Sequence, residues 1–363
     1  MKKALLVTCL FITFFASAEV RKYSNAYLHI GVGARGLAMG NSICASTSDV
    51  YGLYYNPAGI THIKREVQLS AMHSEYFGGI AKYDYGALAF DLRPGKNALS
   101  IGFIRYAVDD IPNTLNLFNP DGSIDYNNIT SFSVGDYGFF ISYSHLIKFK
   151  NESRLSIGAS PKLIYRRAGT FANAVGFGMD IGAQYRLKKG WQFGLMLRDA
   201  TSTFNAWSFH FTDAEKQILA QTGNAIPISS LETTAPEIVL AAAYQWKIKD
   251  RLWILPEADI TFNTDGRRNV LIQTSPVSMD LNAGFEIGYK DIVQLRTGIS
   301  NIQRSTDSDN KQQTSFQPNI GIGVGFKFIH LDYAFTNLGN QSEGLYAHVV
   351  SLKISLPKKA QGE

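Results

Sequence analysis

The stretch AVGFGMDIGAQYRL, residues 174–187, alternates without a break. Val175, Phe177, Met179, Ile181, Ala183, Tyr185 and Leu187 fall on one side of an extended chain, and Gly176, Gly178, Asp180, Gly182, Gln184 and Arg186 on the other. A period of two marks a strand with one apolar face. SMDLNAGFEIGY (278–289) repeats the split, setting Met279, Leu281, Phe285, Ile287 and Tyr289 against Asp280, Asn282, Gly284, Glu286 and Gly288. NIGIGVGFKF (319–328) does so again. Alternation identifies strands but not their solvent, because a soluble sandwich buries the apolar face and a membrane barrel turns it outward.

The connections separate the two cases. Candidate strands run over 67–74, 83–92, 97–108, 136–148, 153–167, 174–187, 191–199, 236–248, 252–262, 278–289, 292–302, 316–328, 329–337 and 346–356. Short links at 93–96, 148–152, 188–190, 249–251, 290–291 and near Phe328 alternate with longer ones at 109–135, 168–173, 200–235, 263–277, 303–315 and 338–345. Tight turns at one end and long loops at the other are the habit of outer-membrane barrels, whereas Greek-key sandwiches have no reason to follow it. Strands of roughly 9–14 residues also suit a tilted crossing of a bilayer. Tyr143, Tyr165, Trp191, Trp246 and Tyr289 fall near strand ends, where a headgroup girdle would place them. The expectation is an all-β chain, a transmembrane antiparallel β-barrel of about fourteen strands over residues 63–357, with an N-terminal plug over 19–62 and a basic tail at 358–363. Within 200–235, TDAEKQILAQTG (212–223) predicts a short helix capped by Thr212 and stopped by Gly223.

Residues 1–18, MKKALLVTCLFITFFASA, place Lys2 and Lys3 before an apolar run that ends in Ala-Ser-Ala, the pattern of a cleaved secretory signal with Glu19 as the first mature residue. Cys9 leaves with it, so Cys44 alone remains and neither an internal disulfide nor a cysteine metal site can form. The 363-residue chain carries 35 basic and 30 acidic residues with no basic stripe, which gives nucleic acid no support. The seven histidines are scattered, and no nucleophile elbow occurs. STDSDNK (305–311) and NPDGSID (119–125) space their acids as calcium loops do, but lack the glycine and closing glutamate of a full loop. No metal, no cofactor and no enzymatic activity are expected.

Residues 19–62 stand outside the alternation. Gly31, Gly33 and Gly36 spell Gly-x-Gly-x-x-Gly, but a dinucleotide site needs a strand–helix–strand setting and an acid about 20 residues on. Asp49 comes too early, so tight turns and close backbone approach inside a narrow lumen explain the glycines better. The run YLHIGVGARGLAMGNSICASTSDVYGLYYNPAGI (27–60) resembles the N-terminal signature of the PorV/PorQ family, within the wider FadL-like group of outer-membrane barrels. The likeness rests on Gly33-Ala34-Arg35, Met39-Gly40, Asp49 and Asn56-Pro57-Ala58-Gly59, with LRDATSTFNAW (197–207) and the run 331–356 also similar. The basic ending SLPKKAQGE departs from the terminal aromatic common in barrels.

The resemblance implies a fourteen-stranded barrel in the outer membrane of a Gram-negative, Bacteroidetes-like cell. It also implies a part in the type IX secretion system, in which such barrels receive the C-terminal domain of cargo from a translocon and pass it to a surface attachment complex. The wider FadL-like likeness allows a second role, transport of a small hydrophobic compound or lipid through a gap in the wall. Pro161 and Pro256 are candidates for such a gap because proline cannot donate to a ladder.

Three groups of residues are candidate sites. Arg35 either locks the plug by pairing with Asp180, Glu286 or Asp332, or stays solvated in a wet lumen. Asn56-Pro57-Ala58-Gly59 forms either a rigid gating turn or only the turn into the first strand. Phe204, Trp207, Phe209 and Phe211 sit in the long 200–235 connection, where they either contact protein partners or cap the barrel mouth.

Overall fold

The structure, a computed structural model, describes residues 19–20, 24–63, 66–119, 121–248, 251–306, 311–337 and 346–356. The leader 1–18, the tail 358–363 and Asp307 and Asp309 lie outside the described residues. The alternating stretches form strands whose apolar side faces out. Val175 and Phe177 are 52% and 64% exposed, whereas Asp180 and Gln184 are 3% and 0% exposed. A soluble sandwich would show the opposite, so the apolar face meets lipid.

The strands are β1 (Val67–Tyr76), β2 (Ala81–Arg93), β3 (Asn97–Asn113), β4 (Thr130–Lys148), β5 (Arg154–Ala168) and β6 (Ala172–Arg186). β7 comprises Trp191–Arg198 and Thr203–Phe209, and β8 comprises Ser230–Thr234, Glu237–Tyr244 and Trp246–Ile248. They are followed by β9 (Leu252–Asn263), β10 (Ser278–Tyr289), β11 (Val293–Thr306), β12 (Gln312–Phe326), β13 (Ile329–Asn337) and β14 (Tyr346–Leu356). Each pairs antiparallel with the next, and β14 pairs with β1 from His348↔Glu75 to Leu356↔Val67, which closes a fourteen-stranded barrel. Closure gives every strand a neighbour on both sides, so no open edge runs the length of the wall.

Two expectations about connections need correction. The link 168–173 shrinks to residues 169–171, so the long-loop end also carries tight turns. Both ends of the connection 200–235 are wall: β7 continues to Phe209 and β8 begins at Ser230, so Phe204, Trp207 and Phe209 lie on a strand and only Phe211 on a loop. The sequence hid this because β7 bulges at residues 199–202, where Asp199 and Ser202 take left-handed φ values of 53° and 58° and reset the alternation. The loop helix, Asp213–Gln221, has the expected Thr212 cap, closed as a capping box by Glu215.

Residues 24–63 lie inside the barrel and supply much of its buried apolar cluster, including Val32, Leu37, Met39, Ile43, Val50, Leu53 and Ile60. They form single turns, α1 (Ala34–Ala38), α2 (Gly52–Tyr55) and a 3-10 turn at Pro57–His62, not a helix long enough to stand alone. Their order comes from the wall around them.

Candidate functional site

The lumen segment is seated by glycines of the wall and by the polar atoms opposite them. A Cβ on Gly298 of β11 would lie 2.2 Å from the carbonyl carbon of Met39, and one on Gly182 of β6 would lie 2.0 Å from Asn56 Oδ1. Bare backbone on the inner face thus lets the segment touch the sheet. Asn56, itself fully buried, accepts from the Ala58 N–H at 3.1 Å. Its Nδ2 donates to the carbonyls of Cys44 (3.1 Å), Ala183 (3.1 Å) and Leu195 (3.3 Å). One amide therefore ties together the segment, β6 and β7. Pro57 opens the following turn at its first position, where a missing N–H costs nothing. Gly33 donates to Met72 Sδ at 2.9 Å and Ala34 to Ser351 Oγ at 3.0 Å.

Arg35 pairs with Glu286, Nη2 lying 2.9 Å from Oε2, and also reaches Ser46 Oγ at 3.2 Å. Of the three acids expected as partners, Glu286 is the one it meets. Arg296 bridges Glu286 (2.7 Å) to Asp332 (2.5 Å), which also takes His330 (3.1 Å). Asp180 instead pairs with Lys162 at 2.8 Å, and Lys162 also meets Asp199 of the β7 bulge at 2.6 Å. Burial works against the Arg35 charge, but Glu286 more than offsets it and holds the guanidinium protonated. Burial likewise opposes ionisation of Asp49, and Lys353, 2.5 Å away, together with Arg35 keeps its carboxyl below the usual range. His62, bonded to Ser156 Oγ at 3.0 Å, is pushed down to about 2 by burial and by Arg186 and Arg154.

Glu257 and Asp259 were missed by sequence reasoning. They are buried on the inner face of β9 and accept the N–H groups of Ala45 (2.6 Å), Ser46 (3.2 Å) and Cys44 (3.1 Å), so they cap the turn 42–46 as a carboxylate caps a helix start. The signal was present: two acids spaced by two within an apolar strand share the lumen face.

The wall is interrupted, but not by kinks at the prolines. The β5 ladder with β4 skips the pairs at Pro161 and Ser160, and the β9 ladder with β8 skips those at Pro256 and Leu255; each resumes in the same register. The larger break lies between β10 and β11, whose pairing stops at Ala283↔Ile299. Beyond it β11 bulges between Ser300 and Gln303, where Asn301 has φ 51°, and Ser278–Asn282 have no partner in β11. Ser278 Oγ, Asp280 Oδ1 and Asn282 Oδ1 are buried without a hydrogen bond there. Behind the break lies a cavity of about 520 Å³, lined by Tyr54, Tyr55, Val239, Arg198, Asp280 and Asn282 among others, with the Arg198 guanidinium over the Tyr54 ring. The loop after β9 bridges the break: Ile272 exchanges backbone hydrogen bonds with Met279 of β10, and Gln273 Nε2 donates to the Arg304 carbonyl of β11 at 2.6 Å.

At the long-loop rim, Trp207, Phe209, Phe211 and Phe171 stack in sequence at centroid separations of 6.2, 6.4 and 5.7 Å, and Phe132 meets Phe171 edge-on. Trp207 donates to Glu232 at 2.8 Å and lies under the Arg166 guanidinium at 5.0 Å. Phe204 points the other way and packs on Phe177 of the outer wall. Among the described residues no group of His, Cys, Asp and Glu is placed to hold a metal.

No family model and no curated protein matches the sequence. Solved structures do match. The Pseudomonas putida toluene transporter TodX has 13% identity and a TM-score of 0.51, over 89% of this chain and 96% of that one. The Ralstonia pickettii toluene transporter TbuX has 11% identity and a TM-score of 0.53, over 90% and 98%. A TodX mutant described as a monoaromatic hydrocarbon channel has 14% identity and a TM-score of 0.55, over 90% and 99%. At such identities the likeness speaks for the fold, and it spans nearly the full length of each chain. A closed wall of fourteen antiparallel strands, apolar outside and charged within, gives this chain the FadL-like outer-membrane barrel fold.

Proposed function

We propose that this barrel carries small hydrophobic compounds into the outer membrane and releases them sideways, between β10 and β11. The observation that carries the reading is the missing ladder between the upper parts of those two strands, set over a cavity and bridged by Ile272 and Gln273. An intact ladder would shield the cavity from lipid, whereas a broken one lets an apolar solute leave along the hydrocarbon without crossing the packed segment 24–63. The stacked aromatics at the rim offer a first surface on which such a solute sheds water. The toluene transporters with which the chain shares its fold supply the substrate class for the test.

The secretion role implied by the PorV/PorQ resemblance has less to rest on. Trp207, the anchor such a surface would use, is committed to Glu232 and Arg166 within the rim. The signature residues Gly33, Ala34, Arg35 and Asn56 are engaged in seating the segment inside the barrel.

The test closes the gap. Continuing the register of Ala283↔Ile299 sets Asn282 opposite Ser300. In a Cys44→Ser background, Asn282→Cys and Ser300→Cys are joined by oxidation or by a short bifunctional thiol reagent, and uptake of labelled toluene by cells is measured. Cross-linking is expected to slow uptake at least tenfold, and cleavage of the link to restore it. Unchanged uptake through a fully cross-linked barrel would overturn the sideways route. Uptake equal to that of cells lacking the protein, before any cross-link, would overturn transport itself and return the secretion role to first place.

A further inference from the structure

The chain's positive charge is unevenly placed, and the short-turn end of the barrel gathers much of it. By strand alternation the inward row of β4 runs through Ser142, Ser144 and Leu146 to Lys148, and that of β5 runs from Lys162 through Ser160 and Ser156 to Arg154. The inward row of β6 ends at Arg186, and that of β8 continues past Ala243 and Gln245 to Lys247. With Lys188 and Lys189 of the β6–β7 turn they line one chamber of about 900 Å³ at the periplasmic mouth of the lumen. Lys188 is paired with Glu152 at 2.9 Å. Among the described residues Lys148, Arg154, Arg186, Lys189 and Lys247 meet no carboxylate. Two polar atoms of the same chamber, Arg186 Nε and Gln192 Oε1, are buried with no hydrogen-bond partner, and Gln192 is 8% exposed.

We propose that this chamber is a docking site for an acidic, extended segment of a periplasmic protein. Lipid headgroups do not fit, because the four cations at strand ends point into the lumen and away from the wall's outer surface. A single small anion does not fit either. Lys148 on β4 and Lys247 on β8 are four strand spacings apart, about 19 Å along the wall, which an extended chain of about six residues spans. Glu152, the acid of this lining, is taken by Lys188, so the remaining cations repel one another, and a row of carboxylates relieves the repulsion. The inference stands independently of hydrocarbon transport.

The test uses the full barrel in phosphatidylcholine nanodiscs, where both faces are accessible, with fluorescent hexaglutamate as the probe and hexalysine as the control. Hexaglutamate is expected to bind at 20 mM salt and to weaken steeply by 300 mM, as exposed charges must. The triple variant Lys148→Gln, Arg154→Gln, Lys247→Gln is expected to bind roughly tenfold more weakly. The variant Arg167→Gln, Lys216→Gln, Lys311→Gln removes the same charge from the opposite end and is expected to bind normally. Gel mobility of the unheated against the boiled protein confirms that both variants fold. Equal loss in both variants would reduce the effect to net charge and overturn the proposal. So would displacement of the probe by citrate at equal charge, which would make the chamber a small-anion site. Loss of phosphatidylglycerol binding in place of hexaglutamate binding in the first variant would overturn it in favour of lipid.

Discussion

Replacing Asn56 by Ala tests whether one buried amide holds the lumen segment to the wall. The substitution removes the donor shared by the Cys44, Ala183 and Leu195 carbonyls and the acceptor of the Ala58 N–H. An amide has two N–H hydrogens, so two of the three carbonyl contacts count as full bonds. Stranding buried polar partners costs about 1–3 kcal/mol each, and partial relaxation or an entering water recovers some of it. The expected loss is about 2–4 kcal/mol, which converts to a roughly 30- to 700-fold shift in the docking equilibrium at 1.4 kcal/mol per decade. The wall has its own ladder on both sides of Ala183 and Leu195, so the barrel should persist. Hydrogen exchange followed by mass spectrometry reads the effect. Peptides covering 42–62 should exchange faster by that factor in Asn56→Ala, while peptides of β2 and β12 stay protected. Exchange of 42–62 within threefold of the parent, in a barrel that still resists cold detergent, would refute the reasoning.

Three other outcomes follow from the same geometry. His62 is neutral when folded, with its pKa pushed down to about 2, while the unfolded chain takes up a proton near 6.5. The unfolded state therefore binds more protons below pH 6.5, so protection of residues 57–62 should fall as the pH drops from 6.5 toward 2, and His62→Gln should flatten that dependence; an equal decline in both proteins would sink the assignment. Gly298→Val places a side chain where a Cβ would already be 2.2 Å from Met39, so the segment rather than the strand should yield. Ion conductance in a planar bilayer should rise in Gly298→Val and rise further when residues 19–62 are deleted, and unchanged conductance in both would show that the segment does not limit flow. Arg35→Met leaves Glu286 with Arg296 as its remaining partner, so its cost should fall below the about 3–5 kcal/mol of stranding a buried charge. Chemical unfolding of Arg35→Met and of Arg296→Met would check this, with the larger loss expected for Arg296, which serves two acids.

Residues 174–187 show how far the sequence reached by itself. Strict alternation set the strand, its two faces and, with the spacing of turns, the barrel, because side-chain direction in a strand depends only on whether a position is odd or even. The Thr212 cap was equally local. The ends of β7 and β8 were not legible, because the bulge at residues 199–202 shifts the register and its signal is a pair of left-handed residues, not a composition. The choice of Glu286 for Arg35, with Asp180 left to Lys162, was likewise beyond sequence: all three acids sit on inward positions, and only the rotation of strands around the closed wall decides which one faces α1. The break between β10 and β11 is further still from the sequence, since β10 alternates normally throughout and the bulge in β11 at residues 300–303 shows only as one left-handed residue, Asn301. Local pattern fixes which way a residue points. What it meets there is a property of closure, and closure brings together residues 251 positions apart, as in the Arg35–Glu286 pair.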